Sequence, residues 1–232
     1  MSETEDLNIG IVLQYRIDTN FNIKGTIDAD RLVRQARDCG FRGISVAVAD
    51  PIQQNMVIEA CNKYHIKFCQ ERPAIILGGP DILAKLIAAR LDKQNIYFEI
   101  KLDQDGAIEK DQLADLDLLR QWIDRFGHAY YEMRPDKEIK TTANAHIFKN
   151  ELAPYQIYVF IHQPLPEKIE LTGTPHIEKA MWIDTRQELE YKQDGDKITI
   201  ELKRDPDDEE FTIYGLRLQA HRPEDDMGPT KY

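Results

Sequence analysis

Residues 95–135 read NIYFEIKLDQDGAIEKDQLADLDLLRQWIDRFGHAYYEMRP. The first eight, NIYFEIKL, are rich in β-branched and aromatic side chains and have the length of a strand. DQDG (103–106) is turn chemistry, and from about Glu109 to Phe126 the apolar residues recur at a helical period. A strand followed at once by an amphipathic helix is half of a βαβ unit, and that unit recurs towards the N-terminus.

NIGIVLQY (8–15) is a short apolar run. DADRLVRQARDCG (28–40) then offers an acidic cap, apolar Leu32, Val33 and Ala36 on one face, and a closing glycine. GISVAVA (43–49) is a β-branched run, Pro51 can open a helix, and Met56, Val57, Ala60, Cys61 and Tyr64 line its inner face. IKFCQ, AIILGG and a helix over 80–93 complete the series. Strands alternating with helices predict a parallel sheet.

Beyond about residue 140 the period changes to two. YQIYVFIH, KIELTG, KAMWID, ELEYKQDGDKITIELK and FTIYGLRLQ read as strands, and the Asp194-Gly195 pair between two of them signals a hairpin. The fold class expected is therefore α/β plus all-β. A truncated (β/α) barrel-like layer over 1–135 precedes a small antiparallel β-sandwich over 140–222, and 223–232 forms a tail.

Composition narrows the function classes. With 42% hydrophobic and 31% charged residues among 232, the chain is of ordinary globular type. Its formal net charge of −11 repels phosphate backbones, so nucleic acid is not an expected partner. The longest apolar runs fall far short of the roughly 20 residues needed to cross a bilayer, and MSETEDLNIG resembles no signal peptide, so no membrane partner and a cytoplasmic location are expected. Cys39, Cys61 and Cys69 stand in no CxxC frame and read as small buried hydrophobes.

The stretch 82–135 resembles the α-L-fucosidase family of retaining glycoside hydrolases. Asn95, Ile100, Asp105, Gly106, Ile108, Trp122, Gly127, Ala129, Tyr131, Arg134 and Pro135 keep the register of the family pattern around N-L-L-L-N-I-G-P-x-x-D-G-x-I-P and W-L-x-x-N-G-E-A-I-Y-x-T-R-P. VIEACNKYHIKFC (57–69) resembles the family's LVEACRKxGLKFG, and ELEYKQDGDKITIEL its C-terminal hairpin. The resemblance implies a (β/α) barrel with a C-terminal β-sandwich. A complete barrel takes roughly 250 residues, and here this half ends near residue 128. The family's nucleophile Asp, in a W-x-D-type motif on a middle strand, has no counterpart, nor has its early His-His-Asp-Gly-Phe motif. Glu99 stands where the family has Asn, and Lys101 where it has Gly.

A retaining glycosidase needs two carboxylates about 5–5.5 Å apart. At the carboxyl ends of the expected strands the catalytic candidates are Asp50 and Glu71, with Tyr15, Arg16, Arg72 and Asp103 as candidate ligand-binding residues. Asp50 before Pro51 serves equally as a helix cap. KLDQDGAIEKDQ (101–112) has the glycine of a calcium loop but Lys101 and Gln112 where its end ligands belong, so it reads as a tight turn. No metal site and no cofactor are expected. GGP (78–80) before a helix reads as a plain turn.

Three functional readings stay open: a catalytically degenerate fucosidase-like protein binding a carbohydrate or a protein, a diverged active glycoside hydrolase, and a structural oligomerisation module. Four or five parallel strands cannot close, so a homodimer covering the exposed sheet is expected, the alternative being an open sheet with helices on both faces that hides its apolar residues within one chain.

Overall fold

The computed structural model describes residues 6–17, 27–47, 50–103, 105–205 and 210–221. Val48 and Ala49 of the expected strand, and the expected tail at 223–232, lie outside them. The chain divides into two compact units, Met1–Tyr131 and Glu132–Tyr232. Among the described residues no helix is long and apolar enough to cross a membrane.

The first unit alternates strand and helix as the sequence pattern requires. Its elements are β1 (Ile11–Arg16), α1 (Ala29–Asp38), β2 (Gly43–Ala47), α2 (Pro51–Tyr64), β3 (Lys67–Phe68), β4 (Ile75–Ile76), α3 (Ile82–Leu91), β5 (Ile96–Lys101) and α4 (Lys110–Glu132). All strand pairs in it are parallel, in the order β3-β2-β1-β5-β4. By hydrogen-bond order the sheet is open, with β3 and β4 at its edges.

Helix starts follow local chemistry. Asp28 caps α1 by accepting from the Arg31 amide, and Asp50 caps α2 by accepting from the amides of Ile52 (2.8 Å) and Gln53 (2.9 Å). Pro51 sits at the first helical position, where its missing N–H costs nothing. Val57, Ala60 and Cys61 are the buried face of α2, with Met56 and Tyr64 half-buried beside them.

The end of α4 differs from expectation. The helix continues past Gly127 to Glu132, because its stop signal comes from another element. The fully buried Arg90, in the last turn of α3, donates to the carbonyls of Tyr130 (3.1 and 3.0 Å) and Tyr131 (2.7 Å), and to Leu7 O at 2.6 Å. The two tyrosine carbonyls are among those that a helix end leaves without partners. A cation there also complements the helix dipole. Beneath the helix, Gly40 ends the α1 turn at φ +84°, where a Cβ would stand 2.5 Å from the Ile123 side chain. Tyr131 donates to the Gly40 carbonyl at 2.8 Å.

The second unit is all β, with two antiparallel sheets. One is ordered β12-β13-β10-β7, from Tyr191–Asp194, Lys197–Glu201, Lys168–Thr172 and Lys140–Thr141. The other is β11-β14-β9-β8-β6, from Ile177–Trp182, Ile213–Ala220, Gln156–His162, Ala145–Asn150 and Met133–Pro135. Hairpin β12–β13 pairs Asp194 with Lys197, so its two loop residues are Gly195 and Asp196, one place later than the Asp-Gly signal. Gly195 takes the positive φ (+58°) that such a turn requires. A buried Arg204–Asp184 ion pair (2.6 Å), with the guanidinium over the Tyr214 ring at 4.1 Å, fixes the core of this unit.

All three cysteines are buried, and none forms a disulfide. Burial pushes the Cys39 thiol up to about 11 and the Cys61 thiol up to about 12, so both stay neutral.

Candidate functional site

Side chains along a strand alternate between faces, so register decides which residues of the parallel sheet meet. On β1, Ile11, Leu13 and Tyr15 share one face while Val12, Gln14 and Arg16 share the other. Tyr15 is fully buried and donates to Leu32 O of α1 at 2.9 Å, which makes its face the helix-covered one. Burial raises its phenol far above the ordinary value.

The opposite face carries three rows. Gly43, Val12 and Tyr97 are in register, and Val12 and Tyr97 join an apolar cluster with Ile9 and Cys69. The next row is polar: Ser45, Gln14 and Glu99, with Ile76 beyond. The third, at the carboxyl ends of the strands, is Ala47, Arg16 and Lys101.

The polar row is buried and bonded. Gln14 is 2% exposed; its Nε2 donates to Arg72 O at 3.1 Å, and its Oε1 accepts from the Arg72 amide at 3.2 Å. The side-chain amide thus imitates a strand partner and holds the link 69–74 across this face. Glu99 lies 3.0 Å from Arg16, whose side chain remains 43% exposed. Ser45 is fully buried, and among the described residues its hydroxyl has no hydrogen-bond partner. The result is a polar floor that opens to solvent at Arg16, at the end of a parallel sheet where α/β proteins place their sites.

The residues singled out from sequence divide. Arg16 and Arg72 come together here, Arg72 through its backbone. Tyr15 faces the helices. Asp50 is the α2 cap, both amide bonds going to one carboxylate oxygen. Asp103 closes the turn after β5, accepting from the amides of Asp105 and Ala107 at 2.9 Å each. Glu71 is exposed in the link 69–74. The structure therefore does not bring Asp50, Glu71 and Asp103 into one cluster through these bonds. Gln14, Ser45 and Glu99 were not among the candidates. A lone amide inside the apolar run IVLQY, and a serine inside GISVA, are the signals that could have found the first two.

A parallel (β/α) layer followed by an antiparallel all-β unit is the architecture of the α-L-fucosidase fold. An α-L-fucosidase of glycoside hydrolase family 29 from Bacteroides thetaiotaomicron, trapped as a covalent intermediate in complex with 2-fluoro-fucosyl fluoride, matches with a TM-score of 0.71 at 9% identity. The match covers 94% of this chain and 95% of that one. α-L-Fucosidase isoenzyme 1 from Paenibacillus thiaminolyticus matches at 0.70 and 9%, over 93% and 98%. The Thermotoga maritima α-fucosidase in complex with a mechanism-based inhibitor matches at 0.52 and 15%, and 82% of this chain covers 56% of that enzyme. The likeness is one of fold. No protein-family pattern matches the sequence, and no curated protein matches it.

Proposed function

We propose that this chain keeps the α-L-fucosidase fold as a ligand-binding protein, without glycosidase chemistry, and that its ligand is a carbohydrate held at the floor formed by Arg16, Glu99 and their neighbours. The observation that carries the reading is the identity of Gln14. Neighbouring strands lie about 4.8 Å apart, close to the roughly 5–5.5 Å that separates the carboxylates of a retaining glycosidase. The place beside Glu99 on β1, where a second carboxylate would complete that pair, holds an amide already bonded to Arg72. Glu99 itself is ion-paired with Arg16. Asp50 and Asp103 serve as cap and turn. Donors and acceptors on a fixed floor suit the hydroxyls of a sugar, and the 2-fluoro-fucosyl compound bound by the Bacteroides relative is of that class.

The test has two arms. Purified protein is expected not to hydrolyse aryl α-L-fucosides above the uncatalysed rate. Turnover abolished by Glu99→Gln, Asp50→Asn or Glu71→Gln would overturn the reading in favour of a diverged glycoside hydrolase. Saturation-transfer NMR against L-fucose and a monosaccharide panel is expected to find a ligand whose signal disappears in Arg16→Ala. A panel with no binder removes the carbohydrate assignment.

One observation favours a second reading, self-association. β4 is an edge strand of two residues, and Ile75 and Ile76 are 40% and 57% exposed. An unpaired, apolar edge is a template for another strand. A two-fold dimer through this edge is the arrangement proposed.

A further inference from the structure

We infer that a cavity at the amino end of β5, apart from the polar floor, binds a small organic carboxylate with an apolar body, its acid group held by Lys85 and Arg72. The cavity follows from where β4 begins. β4 pairs with β5 only through Ile75 with Phe98 and Ile76 with Glu99, so it offers no ladder partner to Ile96 and Tyr97. Two places before Ile75 stands Pro73, which has no N–H to give to a ladder. The link 69–74 thus joins the sheet only at Ile75. A space of about 510 Å³ remains between the link, β5 and α3, well within the roughly 300–1,000 Å³ of small-molecule sites. α3 meets it with Lys85, Ala88, Ala89 and Asp92, the i, i+3, i+4, i+7 stripe that ordinarily carries large apolar side chains. Here the middle of the stripe is two alanines, and the space stays unfilled.

Charge decides the occupant. Lys85 is half-buried, and among the described residues its ammonium has neither an ion pair nor a hydrogen bond. Arg72 stands on the same wall, its backbone fixed from the other side by Gln14 at 3.1 and 3.2 Å. Against these two cations the lining sets one carboxylate, Asp92, at the far end of the stripe from Lys85. The cavity is therefore a cationic spot on a chain whose formal net charge is −11. A cation drawn partly out of water without a counter-charge gains most from an anion, through charge-assisted hydrogen bonds. Pro73, Ile75, Ile96 and the two alanines line the rest with hydrocarbon, which suits an apolar body. Asn95 is committed elsewhere, accepting from the Gly10 amide at 2.8 Å and donating to Asp6 O at 3.0 Å. The polar floor opens at the carboxyl end of β1, so the two sites lie towards opposite ends of the parallel strands.

The experiment titrates benzoate and hexanoate into the full chain, followed by saturation-transfer NMR, with benzamide as the neutral isostere of benzoate. Saturable binding of at least one carboxylate is expected, with a dissociation constant on the order of 1 mM or below for so small a ligand. Benzamide should bind about tenfold more weakly than benzoate, and Lys85→Gln should weaken the carboxylate by about the same factor. Lys85→Arg keeps the charge and should hold the constant within about threefold of the parent. Ala89→Leu fills the middle of the stripe and should abolish the signal. Lys93→Gln removes a neighbouring charge that does not line the cavity, so the constant should stay within about twofold of the parent. Circular dichroism and melting check that each variant folds; Lys85 and Ala89 both lie off the buried face of α3, and should Ala89→Leu fail to fold, the contrast of Lys85→Gln with Lys85→Arg decides. No saturable carboxylate binding, benzoate and benzamide bound equally, or equal losses in Lys85→Gln and Lys93→Gln overturns the assignment.

Discussion

Replacing Gln14 tests how the shortened sheet holds together. Its amide makes two bonds to the Arg72 backbone, at 3.1 and 3.2 Å, from a position 2% exposed. Each neutral hydrogen bond contributes about 1 kcal/mol net. Arg72 lies in an exposed link, so its freed N–H and C=O can turn to water. Gln14→Leu, similar in size, is therefore expected to cost about 1–2 kcal/mol. Gln14→Glu should be worse. A carboxylate can still accept from the Arg72 amide, but it faces the Arg72 carbonyl without a proton to offer, and it is buried directly across from Glu99. An unpaired buried charge beside a like charge makes a loss of about 3 kcal/mol or more the expectation. Urea unfolding followed by tryptophan fluorescence suits this protein, because each unit holds one tryptophan, Trp122 in the first and Trp182 in the second. In a Trp182→Phe background the signal reports the first unit alone. Equal stability of the Leu and Glu variants, or a Leu variant within about 0.5 kcal/mol of the parent, would refute the clamp.

Arg90→Met removes the side-chain donors to the Tyr130 and Tyr131 carbonyls near the end of α4 and to Leu7 O, so a loss of about 3–5 kcal/mol in the first unit is expected by the same assay; less than about 1 kcal/mol would show that water caps the helix instead. His146 and His162 stand 5.1 Å apart between ring centroids, and burial lowers both below the ordinary value of 6.5, His146 further through the charge of His162. Since the unfolded rings take up protons first as pH falls through 6.5, the second unit should lose stability from there down to the lower folded values and then level off; replacing both with Gln should flatten that part of the curve. Sedimentation at micromolar concentration is expected to give a dimer, reduced to a 27.0 kDa monomer by Ile76→Lys; a monomeric parent removes the edge-pairing reading.

Local chemistry was readable where local chemistry decides. The strand 96–101, the Asp50 cap with Pro51, and the hairpin around Gly195 all follow from neighbouring residues, and the structure places them within a residue or so of expectation. What failed depended on distant partners. Gly127 looks like a helix stop, yet the stop is Arg90, some forty residues earlier. β7 and β8 are short strands whose membership depends on pairing with β10 and β9. The polar row was hidden for a related reason: a strand buried on both faces reads as a continuous apolar run, so Gln14 and Ser45 carry no visible period. Only the register of three strands makes them neighbours.

The link 69–74 has a further consequence. It alone among the connections of the parallel sheet joins strands that are not neighbours, since β3 and β4 lie at opposite edges. A single nick there would leave two fragments, one holding β1, β2 and β3 and the other β4 and β5, each with its own ladder intact. What joins their ladders in the sheet is the pairing of β1 with β5 over Ile11–Arg16. The chain is thus built as a pair of complementary pieces, and a split form should reassemble along that seam.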